Sequence, residues 1–202
     1  FVILRHDVDL RAGHSLATAQ AEAALGIKAS YFFRVVPQSN QPDKIMAMAA
    51  LGHEIGYHYE DLSLFKGDVE AAVAHFEKQL THFRQFYPVR TVCMHGSPAS
   101  RYDNRDLWKH YNYRDFGVIG EPYFDVDVED VFYLTDTGRC WDGDKYSVRD
   151  KVKSSFTQSY HSTADIIRAA QAGTLPPRMM ITTHPQRWTD HRLEWLLELV
   201  SQ

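Results

Sequence analysis

The feature that most constrains this chain is a hydrophobic period that switches back and forth from one end to the other. Short runs rich in β-branched and aromatic residues alternate with longer stretches of helical spacing. Residues 1–6 read as a strand, and 14–25 as an Ala-rich helix closed by Gly26. KASYFFRVV is a second strand, and 42–51 a helix followed by Gly52. HEIGYH is a short strand, and 68–86 an amphipathic helix ended by Pro88. TVCMH, FGVIG, VFYLTD and RMMITTH read as further strands. Between and after them lie a short helix in NRDLWKHY, a helix over 162–172 with Ser162 and Asp165 as capping pair, and a final helix over 189–200. Such alternation predicts an α/β fold with about seven parallel strands, as a barrel or a doubly wound sheet, in a single domain over 1–202. The acidic, irregular stretch 120–150 is expected to form long loops beside the site.

Composition removes several classes of function. The 202 residues are 44% hydrophobic, enough for one core, and no apolar run approaches the length of a membrane span. Net charge is −4 with dispersed Lys and Arg, so no nucleic-acid partner is expected. Cys93 and Cys140 lack zinc-site spacing and are too few for a disulfide framework; Cys93, within an apolar run, reads as a buried thiol. Without a visible signal peptide a cytoplasmic location is expected, although a chain opening on Phe1 inside a strand leaves room for a missing N-terminus.

Eleven histidines become informative through their positions. The first strand runs into Arg5-His6-Asp7-Val8-Asp9, the third ends at His58, the fourth at His95 and the last at His184. In parallel α/β folds the C-terminal strand ends converge on one face, where active sites lie. Residues two apart on a strand share a face, so Asp7 and Asp9 can look into one cavity while Val8 turns away. Two carboxylates so close call for a cation. The same rule separates His53 from His58: roughly 16–17 Å apart along an extended strand and on opposite faces, they cannot share an ion. His53 is expected to be structural.

Five segments, in this order, resemble polysaccharide deacetylases of carbohydrate esterase family four: RHDVD, ALGIKASYFFRV, LGHEIGYHYEDL, MHGSP and ITTHP. The resemblance covers nearly the whole chain and implies a distorted seven-stranded (β/α) barrel. It also implies metal-dependent removal of an N-acetyl or O-acetyl group from a carbohydrate. Residue by residue, it makes Asp7 the catalytic base, Asp9 and His58 metal ligands and His184 the general acid. Two positions depart from the family pattern. Leu62 stands where a second metal-binding histidine is usual, leaving Glu60 or Asp61 to supply a carboxylate, or the metal to be lost. His95 stands where an arginine usually braces the base, a role open to Arg5 or Arg187.

The groups suit that chemistry. A metal lowers the pKa of bound water to about 7 and polarises a carbonyl, and an imidazole can protonate the leaving group. A site of one imidazole and two carboxylates makes Mn, Fe or Co competitive, with zinc still named first for its availability. His95, Ser97 and Arg187 are expected to bind substrate, with Trp141 and Trp188 as a wall for a sugar ring. Tyr57, inside a strand, is expected to pack in the core. Two other readings keep the same residues: hydrolysis of a non-sugar C–N amide, or a catalytically silent carbohydrate-binding relative.

Overall fold

The computed structural model describes residues 1–143, 147, 149 and 152–200. Six parallel strands form one curled sheet, a half-barrel with flanking helices: β1 (Val2–Val8), β2 (Ser30–Phe33), β3 (Glu54–Tyr59), β4 (Val92–Met94), β5 (Phe132–Thr135) and β6 (Met179–Thr183). Their order across the sheet is β4-β3-β2-β1-β6-β5. The helices are α1 (Ala12–Ala24), α2 (Pro42–Ala50), α3 (Asp61–Leu64), α4 (Val69–Phe83), α5 (Pro122–Asp125), α6 (Thr163–Gln171) and α7 (Arg192–Val200). No helix among the described residues is long and apolar enough to cross a membrane.

Local chemistry explains the helix limits. Gly26, Gly52 and Gly173 each follow a helix with positive φ. At each, the glycine N–H and the next N–H turn back onto carbonyls of the last turn, as with Gly26 N to Ala23 O at 3.0 Å and Ile27 N to Glu22 O at 2.9 Å. Asp68 caps α4 by accepting from Ala71 N, and Ser162 and Asp165 form the expected reciprocal box at α6.

Strand count is where the sequence reading needs correction. The segment FGVIG, expected as a full strand, makes only an isolated parallel bridge, Thr91 to Gly120, at the edge of β4. Gly117 turns the chain at φ 71°, and Glu121 already caps α5 with Pro122 in its first turn, so too few extended residues remain for a ladder. The first and last strands do pair, with Arg5 opposite Thr182, but as an interior pair and not at a barrel seam. Winding runs from β1 outward to β4, then crosses to β6 and β5 on the other side of β1. That reversal places a crevice at the C-terminal ends of β1 and β6, the position favoured for ligands in open parallel sheets.

The two faces of the sheet differ sharply. Outward residues Tyr31, Phe33, Ile55, Tyr57 and Tyr59 pack with Ile45 and Met48 of α2 and Phe76, Leu80 and Phe83 of α4. Tyr57 is therefore core, as expected. The concave face carries Arg5, Asp7, His58 and Thr182, all buried. His6 belongs to the outer face: its Nδ1 meets Thr183 Oγ1 at 2.6 Å and its Nε2 meets Glu22 of α1 at 2.7 Å. His53 sits just before β3, with Nε2 on Ala19 O (2.9 Å) and Nδ1 accepting from Ala29 N (3.2 Å), so it joins α1 to β2.

Gly56 shows how tightly the concave side is filled. A Cβ there would lie 2.4 Å from the Phe32 ring. Gly56→Ala is expected to destabilise the protein by about 1–3 kcal/mol through overpacking. Urea unfolding of Gly56→Ala, Phe32→Leu and the double variant checks this, the double costing less than the sum of the singles.

Candidate active site

The concave face ends in a cavity of about 430 Å³ lined by Asp7, Asp9, His58, His95, His184 and Arg187, among others. They reach it from the ends of four strands, β1, β3, β4 and β6, which is why residues distant in sequence meet.

Asp9, one residue beyond β1, is the hub. Its Oδ1 lies 3.5 Å from His58 Nε2 and 3.5 Å from His95 Nε2, and its Oδ2 lies 3.9 Å from His184 Nε2. Gln186 Nε2 donates to Oδ2 at 3.3 Å, whereas Oδ1 is buried with no hydrogen-bond partner. Burial opposes ionisation of Asp9, but His95, His184 and His58 together hold its carboxyl below the usual range.

Both imidazoles have their other nitrogen occupied. His58 Nδ1 donates to Cys93 O at 2.9 Å, and burial, the dominant influence, lowers its pKa and favours the neutral ring. His95 Nδ1 lies 3.0 Å from Glu60 Oε2 and 3.1 Å from Ser97 Oγ. With Nδ1 engaged, each ring turns Nε2, the nitrogen free to ligate a metal, toward Asp9 Oδ1. Two imidazole nitrogens and a carboxylate oxygen converging in this way form a donor set that fits a divalent cation; Asp9, His58 and His95 are the residues that could hold one. A second grouping, Asp7 with His58 and Cys93, fits less well. Arg5 already places its positive charge on both oxygens of Asp7, Nε at 3.0 Å and Nη2 at 2.7 Å.

The sequence reading therefore needs two corrections. Neither Glu60 nor Asp61 points into the ligand cluster. Glu60 turns to Arg34, which grips it at 2.8 Å through both Nε and Nη2, and to the far nitrogen of His95. Burial notwithstanding, those bonds bring its pKa down to about 2. Asp61 is buried behind the site, accepting from Tyr57 Oη at 2.8 Å and meeting His75 Nδ1 at 2.5 Å. The second correction concerns His95, expected among the substrate-binding residues, which instead faces Asp9 beside His58. Leu62 packs in the hydrophobic core, so the second imidazole comes from the end of β4.

Asp7 is braced from its own strand. Arg5, two residues back on the same face, forms a buried two-point bond with it, and Tyr123 stacks its ring 5.1 Å from that guanidinium. Burial works against the charge on Asp7, but Arg5 and His58 hold its pKa down. Oδ2 of Asp7 lies 3.7 Å from His58 Nε2, so the carboxylate borders the cluster.

His184 is set by a residue that the sequence reading passed over. Asp136, at the end of β5, meets His184 Nδ1 at 2.5 Å and accepts from its backbone N at 3.1 and 3.2 Å. It also accepts from Trp188 Nε1 (2.8 Å), while its backbone carbonyl accepts from Arg187 Nη1 (2.8 Å). Burial disfavours a charged His184, yet Asp136 outweighs it and raises the pKa to about 9. The signal was present in VFYLTD, an acid at a strand's C-terminal end like the others.

Ser97 holds His95 and accepts from the buried Asn104 at 3.1 Å. Arg187 lines the cavity beside His184. Trp141 and Trp188 lie side by side, ring centroids 6.2 Å apart, but on an adjoining cavity of about 370 Å³ behind Asp136, not on the wall facing Asp9. Part of the expected loop 120–150 falls outside the described residues; Ser147 and Arg149 from it line the main cavity.

No protein-family model and no curated protein sequence matches this chain. Solved structures do. Over its whole length the chain superposes on a mutant of BA3943, a pseudoenzyme of carbohydrate esterase family four with restored enzymatic activity (TM-score 0.58, 12% identity, 61% of that chain). Wild-type BA3943 from Bacillus anthracis gives a TM-score of 0.54 at 12% identity over 59% of its chain. The family 4 carbohydrate esterase from Streptomyces lividans, solved with acetate, gives 0.53 at 13% identity, with the whole of this chain covering 86% of that one. The fold is thus that of carbohydrate esterase family four, and the chain spans about three fifths of the BA3943 structures it matches.

The cluster predicts one bound divalent ion per chain. Elemental analysis and competition titration are expected to show His95→Ala losing it and Glu60→Gln binding it about 10–100-fold more weakly. Asp61→Asn is expected to keep its metal. Wild-type affinity in His95→Ala would remove His95 from the ligand set.

Proposed function

We propose that this protein is a metal-dependent deacetylase that hydrolyses an acetyl amide or ester on a carbohydrate. The observation that carries the reading is the buried, unpartnered Oδ1 of Asp9 with two imidazole Nε2 atoms 3.5 Å away. Beside it stand an arginine-braced carboxylate and a histidine tuned to be cationic at neutral pH. Two imidazoles and one carboxylate suit zinc better than the harder set expected from sequence, so zinc is the metal of choice. A divalent ion held by Asp9, His58 and His95 would polarise the acyl oxygen and acidify a water.

The remaining roles fall to the chain's own groups. Asp7, held low in pKa by Arg5, is a weak base toward bulk water but a suitable acceptor for a proton from an acidified one. Arg5 fixes which way the carboxylate faces. His184 keeps Nδ1 on Asp136 and presents Nε2 to the cavity, where it can deliver a proton to the departing amine or alcohol. The catalytically silent reading draws support from the wild-type BA3943 pseudoenzyme, which shares the fold. A binding module, however, gives no reason for a base and an acid held on opposite sides of a ligand cluster.

Acetate release from acetylated chito-oligosaccharides, before and after chelation and zinc reconstitution, tests the proposal; no release by the zinc-loaded protein on N- or O-acetylated sugars would reject it. Asp7→Asn is expected to abolish turnover with metal content unchanged, whereas Asp9→Asn loses both. If both variants lose metal alike, Asp7 is also a ligand.

His184 yields a pH prediction. It serves as acid only while protonated, so activity is retained below its pKa and lost as pH rises through about 9. Asp136→Asn removes the charge that raises this pKa, and the alkaline limb of kcat/KM is expected to move to lower pH. His184→Ala is expected to lower kcat by about 10²–10⁴-fold, and by less on an activated aryl ester that needs no proton.

A further inference from the structure

A second cavity, of about 620 Å³, opens on the other side of His95, and His95 and Pro98 line both. Its charged lining consists of Arg34, Glu60, Lys66 and Arg101, with His95. Arg34 and Glu60 cancel one another through their two-point bond. Two fixed positive charges therefore remain on a chain whose net charge is −4. Arg101 stacks on the Tyr102 ring at 4.8 Å and donates to its hydroxyl at 2.5 Å, with no carboxylate on its guanidinium among the described residues. Lys66 has no ion-pair partner among the described residues.

The backbone at Lys66 is shaped for this arrangement. Lys66 adopts φ 52° and Gly67 φ 88°. A Cβ on Gly67 would lie 2.3 Å from the Tyr102 ring, so only glycine lets the α3–α4 turn close against that ring. The result is a rim on which Lys66 and Arg101 stand together, one histidine away from the candidate metal cluster. Ser63 and Ser100 add hydroxyls to the same wall.

From this arrangement we infer that the enzyme acts on an anionic glycan: Lys66 and Arg101 bind an acidic group on a sugar next to the acetylated one. The inference names the substrate class of the proposed deacetylase and rests on that reading. Solvent-exposed cations give modest affinity each and act through salt-sensitive attraction.

Calorimetric binding to the zinc-loaded protein tests it with three probes. These are neutral tetra-N-acetylchitotetraose, its 6-O-sulfated form, and a hyaluronan tetrasaccharide bearing glucuronate carboxylates. At low salt at least one acidic probe is expected to bind about tenfold more tightly than the neutral one, and which of them does identifies the acidic group. Lys66→Ala combined with Arg101→Ala is expected to erase that preference and leave neutral binding unchanged. Equal binding of all three, binding of none, or a preference that survives the double substitution would overturn the inference. Acetate release from the neutral oligomer without acidic preference would leave the deacetylase reading standing alone. Cation-dependent preference with no acetate released from any probe would do the reverse.

Discussion

Everything in the site depends on the burial of two carboxylates at one strand end, and on how differently they are neutralised. Asp7 has a full positive charge bonded to both oxygens by Arg5, so its ionised form is secured by the strand itself. Asp9 has no such two-point bond: a glutamine amide touches Oδ2, His184 Nε2 lies 3.9 Å from it, and Oδ1 faces Nε2 of His58 and of His95 with no hydrogen bond. Burying a carboxylate is costly, and here it is three nearby imidazoles, none hydrogen-bonded to Asp9, that offset the cost. A cation at Oδ1 would complete the shell, and the proposed division of labour between Asp7 as base and Asp9 as ligand rests on that difference.

That asymmetry follows from the pleat. Arg5 and Asp7 share the concave face because they are two apart, and Val8 goes to the core. His6, flanked by functional residues, goes outward to Glu22 and Thr183 and acts as a tie between strand and helix. Parallel pairing then lines up β1 with β6 on one side and β2 on the other, so that His184 and His58 arrive from opposite flanks of Asp9.

Much of this was legible in the sequence. Alternating periods gave the parallel α/β class, and titratable residues at strand ends marked the crevice. What was not legible came from two sources. One is pairing length: FGVIG has the composition of a strand, but its own Gly117 turns the chain and a helix cap follows it, leaving room for a single bridge. The other is direction. Glu60 and Asp61 are adjacent to a ligand in sequence, yet just past a strand end each residue takes its own heading, one toward His95 and Arg34, the other toward Tyr57 and His75. Asp136 carried the strand-end signal of the others, but which histidine it holds was not legible, because only the β5–β6 pairing brings it to His184.

The placement of the second imidazole has a consequence for how the centre is held. A histidine at position 62 would stand in α3, just past the end of β3, and the short connection would fix its separation from His58. With Leu62 in the core and His95 just beyond β4, the separation depends on the β3–β4 pairing, in which His58 lies opposite Cys93, and on the loop that follows. That loop is secured accordingly. His95 N donates to Tyr59 O at 2.8 Å, Asn104 donates to His95 O at 2.7 Å, and Arg149 donates to the carbonyls of Gly96, Ser97 and Ser100. Glu60, one residue beyond β3, then fixes the ring itself through Nδ1, and Arg34 at the end of β2 balances its charge. The carboxylate that turns away from the Asp9–His58–His95 cluster thus becomes the group that orients a ring within it, and three neighbouring strand ends act as one unit.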